Sequence, residues 1–323
     1  MIRYILKRII LVLPVLLGIS LIIFTMLYFT PGDPSMVLLS ADASPEMREQ
    51  LRRDLGLDLP FWVQYFNYIK GIVTRGDFGT SWITLQSVSV ELFQRYPISV
   101  RLALFSGTIA TLLGLTLGII SAVRQYTIFD NIANFSGLIA YSMPSFWQGM
   151  LFIVFFAVHL RWFPASGIAD WTGWVLPSLT IGTTNTALVM RMTRSSILEV
   201  LRQDYITTAR AKGIREGIVI LKHALGNALI PIVTIIGLAF GTTLSGAIIT
   251  ERVFSIPGIG MLLVDSINAR NFPMVQGIVL FSALWFCLIN LIIDLVYGFI
   301  DPRIKAQYMR KKRKIAVVKE AEK

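Results

Sequence analysis

Cysteine, histidine and charge are all scarce in this 323-residue chain. Its one cysteine, Cys287, lies inside an apolar run, which excludes a disulfide framework and a Cys-based metal site. The two histidines, His159 and His223, lie in separate segments, so no His-based metal centre is expected. Charged residues make up 15% of the chain, where a soluble domain carries about a quarter. A phosphate-binding loop needs G-x-x-x-x-G-K-[ST], and the chain contains no Gly-Lys dipeptide. ATP hydrolysis by that route is excluded. Neither H-E-x-x-H nor G-x-S-x-G occurs, so an enzyme reading has little support.

What is present is apolar surface. Hydrophobic residues make up 54% of the chain and mean hydropathy is +0.66. That composition describes an all-α, polytopic membrane protein. Run length and flanking charge predict six spans, at about 9–30, 98–123, 133–158, 175–192, 227–250 and 275–300. The first starts behind Arg3, Lys7 and Arg8 and ends without a small-x-small cleavage site, which reads as a retained signal anchor. Arg191 and Arg194 shorten the fourth span, and Pro177 suits its first turn. With the N-terminus inside, 20 Lys and Arg fall on the cytoplasmic side and 9 outside. Both termini are therefore expected in the cytoplasm.

Four regions follow: 1–30 as N-terminus and first span, 31–97 as an extracytoplasmic helical insertion, 98–302 as the transmembrane core, and 303–323 as a basic cytoplasmic tail. In the insertion, Ser44 is a candidate N-cap for a helix from Pro45 to Leu55, stopped at Gly56. A second helix is expected from Pro60 to Ile72, and then a turn at Arg75-Gly76-Asp77-Phe78-Gly79. This insertion reads as a connector resting on the membrane or as a docking surface. The tail, with Lys311-Lys312-Arg313-Lys314, reads as a lipid-headgroup anchor and not as a nucleic-acid site.

Span interiors are nearly free of charge. Asp294 is the exception; it either lines a pathway or faces protein and reaches toward the interface. The spans carry small and weakly polar residues instead. Gly114-x-x-x-Gly118 and Gly237-x-x-x-Gly241 read as close helix contacts, with a pore lining as the alternative. Pro144 should kink the third span. Leu244-Ser245-Gly246-Ala247 reads as packing within the fifth span. Ser142, Pro144, Thr242, Thr243 and Ser245 are the candidate translocation residues.

The positive signal is the polar stretch 191–231, between two spans. Ile197, Leu198, Leu201, Tyr205 and Thr208 fall at helical spacing and read as one apolar stripe, with Arg194, Arg202 and Asp204 off it. Gly213 should end this helix, and a second should rise through Ile218 and Leu225 into the fifth span. Such an element is a handle for a soluble partner or an ordinary basic loop.

Thr207-Thr208-Ala209-Arg210-Ala211-Lys212-Gly213 resembles the EAA loop of bacterial ABC import permeases, with Thr207 in place of Glu and Thr208 in place of the first Ala. Further on, Leu225 matches and Gly226 replaces a Pro. The run Asp204 to Gly213 is similar to the dipeptide/oligopeptide/nickel branch. So are Pro31-Gly32-Asp33-Pro34, the run Arg75 to Ser81, Ser142 to Phe146, Glu251 to Phe254, Pro257 to Gly260, and Asn271-Phe272-Pro273. The order is that of the first, B-type permease subunit. The resemblance implies a type I ABC importer fold in the bacterial or archaeal inner membrane. It implies no cofactor on this chain; ATP and Mg would be bound by two partner ATPase subunits. A second homologous permease and an extracytoplasmic solute-binding protein would complete the system. Arg202, Asp204, Tyr205, Ala209, Arg210, Lys212 and Gly213 would then couple the chain to an ATPase. The other readings are a receptor or scaffold, and a self-sufficient secondary carrier.

Overall fold

A computed structural model describes residues 2–30, 38–39, 43–245 and 247–300. The Pro31-Gly32-Asp33-Pro34 motif, Gly246 and the basic tail lie outside the described residues. Regular structure among the described residues is helical, with one isolated bridge between Thr80 and Ser87.

Helix α1 covers Ile2–Tyr28. Two short helices follow. In α2 (Pro45–Asp54), the Ser44 hydroxyl accepts a hydrogen bond from the Met47 amide and Pro45 occupies the first turn. Helix α3 (Phe61–Arg75) ends on left-handed Gly76, at φ +63°. Helix α4 (Val88–Val123) is 36 residues long and holds Pro97 within it. At 1.5 Å per residue it is about 54 Å long, well beyond a hydrocarbon core of about 30 Å. It also begins ten residues before the expected start of the second span.

The third span departs most from expectation. Helix α5 (Ile128–Ser142) stops, Met143 and Pro144 are extended, and α6 (Ser145–His159) departs at 105°. Pro144 thus breaks the span where a kink was expected. Two consecutive extended residues abolish the helical ladder, while a proline in continuous helix would remove one bond. The end of α6, Ile153–His159, is wound as π-helix.

A single 3-10 turn at Trp171–Trp174 leads into α7 (Val175–Leu201), then α8 (Asp204–Ala211) and α9 (Glu216–Leu244). Short helices α10 (Ile248–Val253) and α11 (Ile259–Asn268) precede α12 (Phe272–Ile300). The fifth span therefore ends at Leu244, short of the expected 250. Ser245 caps it, so Leu244-Ser245 lies at a helix end and not inside a span.

Among the described residues, four helices are long and apolar enough to cross a bilayer: Arg8–Tyr28, Val88–Val123, Glu216–Leu244 and Phe272–Val296. The broken pair α5–α6 makes five if it is one span. Helix α7 has the length, at 27 residues, without the apolarity. Its polarity is covered by protein, because α7 is the central helix and packs on α4, α5, α6, α9 and α10. Ser178, Thr180, Thr186, Thr193 and Ser196 are all buried in it. The Thr180 and Thr186 hydroxyls donate to carbonyls one turn back, at 2.8 and 2.7 Å.

Small residues set the closest approaches. A Cβ on Gly114 would lie 2.6 Å from the Val189 Cβ, and one on Gly118 2.6 Å from the Thr193 Cβ. Both glycines are buried on α7 and serve close packing. Gly237 and Gly241 do the same against Ile293 and Phe286 of α12. One core cluster joins α4, α11 and α12 through Leu92, Ile259, Met274 and Ile278. A second, at the opposite end of α4, joins Ala122, Ile197, Ile206, Ala209, Val219 and Ile232.

Candidate coupling site and translocation path

Helix α8 is attached at both ends by tight turns. Helix α7 stops at Leu201, Gln203 is extended, and α8 restarts at Asp204. At its far end Lys212 donates to the Thr208 carbonyl at 3.1 Å and Gly213 to the Arg210 carbonyl at 2.9 Å. Gly213 has φ +73° with open space where a side chain would stand, so its requirement is conformational and not steric.

Two residues fasten α8 to the bundle. Ile206 is fully buried and Ala209 nearly so, among Ala122, Ile197 and Val219. Arg202, Asp204, Tyr205, Thr207, Thr208, Arg210, Lys212 and Gly213 are exposed. The expected stripe through Tyr205 and Thr208 is therefore corrected. The extended Gln203 resets the helical phase, so the periodicity of α7 does not carry into α8. Ala209, expected among the coupling residues, faces the bundle. Arg210 makes two hydrogen bonds to Glu216, at 3.1 and 2.6 Å, and holds that carboxyl below the ordinary glutamate range.

Beside α8 is an ion pair that reading the sequence missed. Asp130, in the first turn of α5, is 2% exposed. Its carboxylate accepts from Arg194 Nε at 2.8 Å and Nη2 at 2.7 Å, from the Tyr126 amide at 2.9 Å, and from Asn134 Nδ2 at 2.6 Å. The Ser121 hydroxyl donates to it as well. Arg191, one turn earlier on α7, lies over the ring of Tyr141 in the last turn of α5, 4.7 Å from its centroid. These arginines, with Arg202 and Gln203, line an open cleft of about 640 Å³. In the sequence both arginines shortened a span, and Arg194 also lay off the apolar stripe.

Asp294 faces protein, and its partner is the Arg8 guanidinium of α1 at 2.9 Å. Sequence reading did not anticipate that cation, because the pair joins opposite ends of the chain.

At the other end of the bundle, the motifs at 75–81, 251–260 and 271–273 come together. Glu251 is fully buried and accepts from the Ser99 hydroxyl at 2.8 Å and the Met261 amide at 2.9 Å. Ser99 in turn accepts from the Ile259 amide at 2.9 Å. Burial pushes the Glu251 carboxyl up, and these bonds oppose the shift. A side chain on Gly258 would run into that carboxylate, which explains the glycine. Asn271 accepts from the Trp82 amide at 3.0 Å and donates to the Ser81 hydroxyl at 2.8 Å.

The candidate path residues fall in two places. Ser142 and Pro144 flank the α5–α6 break and are exposed. Thr242, Thr243 and Ser245 end α9, and each hydroxyl donates to a carbonyl of its own helix. Thr243 is buried, while Thr242 is exposed. Next to the break, buried Gln148 donates to Thr183 at 2.8 Å and accepts from Thr184 at 3.0 Å, fixing α6 to α7.

A bundle of apolar helices, broken in one span and presenting a polar helix at one end, is the architecture of a multi-pass membrane protein. The chain belongs to the family of binding-protein-dependent transport system inner membrane components. That family's model matches residues 114–306, and the model of the N-terminal part of the same component matches residues 1–103.

The chain is 41% identical to the dipeptide transport system permease protein DppB of Alkalihalophilus pseudofirmus, over 94% of this chain and all of that one. It is 41% identical to DppB of Escherichia coli K12, covering 94% and 99%. The same identity holds to the glutathione transport system permease protein GsiC of Salmonella choleraesuis, again covering 94% and 99%. Among solved structures, an inward-facing MetNI methionine ABC transporter matches with a TM-score of 0.56 at 19% identity, over 65% of this chain and 96% of that one. An amino acid ABC transporter with histidines matches at TM-score 0.52 and 14% identity, over 64% and 93%. This likeness shows the fold, that of a type I ABC importer permease. The chain is a non-catalytic, multi-pass permease subunit of an inner-membrane ABC importer, a complex in which separate ATPase subunits work with a binding protein.

Proposed function

We propose that this chain forms one half of a channel that takes up di- or oligopeptides or a related small solute. A second, homologous permease forms the other half. Two ATPase subunits bind ATP and Mg on the cytoplasmic side, and a solute-binding protein delivers the solute from outside. The substrate class rests on relatives named for dipeptide and glutathione transport.

The observation that carries the reading is α8: an eight-residue helix held by Ile206 and Ala209, with Asp204, Tyr205, Arg210 and Lys212 turned to solvent. Arg202, Asp204, Tyr205, Arg210 and Lys212 contact the ATPase, Ala209 seats the helix, and Gly213 makes its exit turn. The chain crosses the membrane six times, with α5–α6 as one broken span and α7 as another. Both termini are cytoplasmic. The bias of Lys and Arg supports this, as does the Arg8–Asp294 pair, which joins the start of α1 to the end of α12. Regions 1–30, 31–97, 98–302 and 303–323 serve as anchor, outer insertion, transport core and lipid-facing tail. Ser142, Pro144, Thr242, Thr243 and Ser245 lie along the path.

Gly213→Pro tests this. Proline cannot adopt φ +73°, so the exit turn of α8 must rearrange. Uptake of labelled dipeptide by cells carrying the whole system should be lost while the variant still appears in the membrane fraction. Unchanged uptake would remove the coupling role of α8.

A further inference from the structure

We propose that Arg194 and Asp130 form a latch that carries movement of α8 to the broken span α5–α6. The inference rests on the permease reading above and adds to it a route for force.

The route can be followed along the chain. Helix α8 sits on Ile197 of α7 through Ile206 and Ala209, so it cannot move without pressing on the end of α7. Helix α7 is a continuous helix of 27 residues and moves as a rod. Arg194 lies seven residues before the end of that rod, about 10 Å along its axis. Helix α5 is less firmly bound. Ile128, Ile132, Phe135, Leu138 and Ile139 are exposed, and its packing on α7 centres on Gly137, where a Cβ would meet Met190 and Ala187.

The two arginines hold the two ends of α5. Arg194 grips Asp130 in its first turn, and Arg191 covers Tyr141 in its last. The grip on Asp130 is the firmer. The carboxylate is desolvated, its oxygens face five donors, and only the guanidinium comes from α7. The other donors come from α4, the turn and α5 itself, so they fix the carboxylate without binding α5 to α7. Past Tyr141 the helix breaks at Met143–Pro144. A rod that pulls α5 at both ends turns that break into a hinge. Arg194 and Asp130 are positioning residues: they act through α5.

The test uses the full assembly in proteoliposomes, with dipeptide uptake and ATP hydrolysis measured together. Asp130→Asn should lower uptake per ATP hydrolysed by about fivefold or more, with hydrolysis nearly unchanged. A second variant keeps the idea falsifiable if the latch only stabilises the fold. An ideal Cβ on Gly137 lies 3.8 Å from the Ala187 Cβ, the spacing of a disulfide. Gly137→Cys with Ala187→Cys, oxidised in the Asp130→Asn background, should restore the ratio, and reduction should remove it again. An unchanged ratio in Asp130→Asn, uptake and hydrolysis falling in step, or no recovery on oxidation would each overturn the latch. A wild-type assembly with no ATP-driven uptake would instead overturn the permease reading, and the latch with it.

Discussion

Glu251 is tightly constrained. It is fully buried, and its carboxylate is held by a hydroxyl and backbone amides. Burial raises its carboxyl above the ordinary glutamate value of 4.5. The folded state therefore holds this proton more tightly than the unfolded state. Its contribution to stability is complete below about pH 4.5 and is lost as pH rises through the raised value. Glu251→Gln should remove that part of the pH dependence, since the amide oxygen can face Met261 and the amide nitrogen Ser99. Thermal unfolding of the detergent-solubilised protein across pH checks this, and parallel pH slopes for the two proteins would contradict it. In the sequence Glu251 stood out only as part of a motif that resembles the family's, because its partner Ser99 lies 152 residues away. Asp130 and Arg194 were hidden for the same reason, being 64 residues apart. By contrast, the Ser44 cap and the glycine that turns the chain at 213 were legible, because caps and turns are local chemistry.

Among elements, α8 is short, and its stability is borrowed from the bundle. An isolated helix of eight residues does not hold in water. Ile206 and Ala209 provide the seat, and the solvent-facing groups are free for other work. The Arg210–Glu216 pair illustrates the division. Both side chains are about half exposed, at 44% and 51%, so the pair contributes about 0–1 kcal/mol. Arg210→Ala should leave the melting temperature nearly unchanged and still weaken binding of the assembled ATPase, measured by co-purification. A large loss of stability with full ATPase binding would assign Arg210 to the fold alone. Periodicity found the helices on either side and misread α8, since one extended residue, Gln203, shifted its phase. Hydropathy likewise undersold α7, whose threonines are shielded by α4, α5 and α9. The α5–α6 break was half legible: Pro144 marked the position but not the angle.

Taken whole, the molecule divides its chemistry between two ends. At one end Glu251, Ser99, Asn271 and Ser81 hold loops together by buried hydrogen bonds. At the other, Arg194 and Asp130 fix helices beside an exposed polar helix. Between them run close helix contacts at Gly114, Gly118 and Gly237. Energy is left to the separate ATPase subunits of the family. The most direct measurement compares labelled dipeptide uptake into proteoliposomes holding this chain alone with uptake into those holding the second permease and the ATPases too, given solute-binding protein and ATP. Uptake should appear only with the complete set and should stop without ATP. Uptake by this chain alone, driven by an ion gradient, would contradict the account.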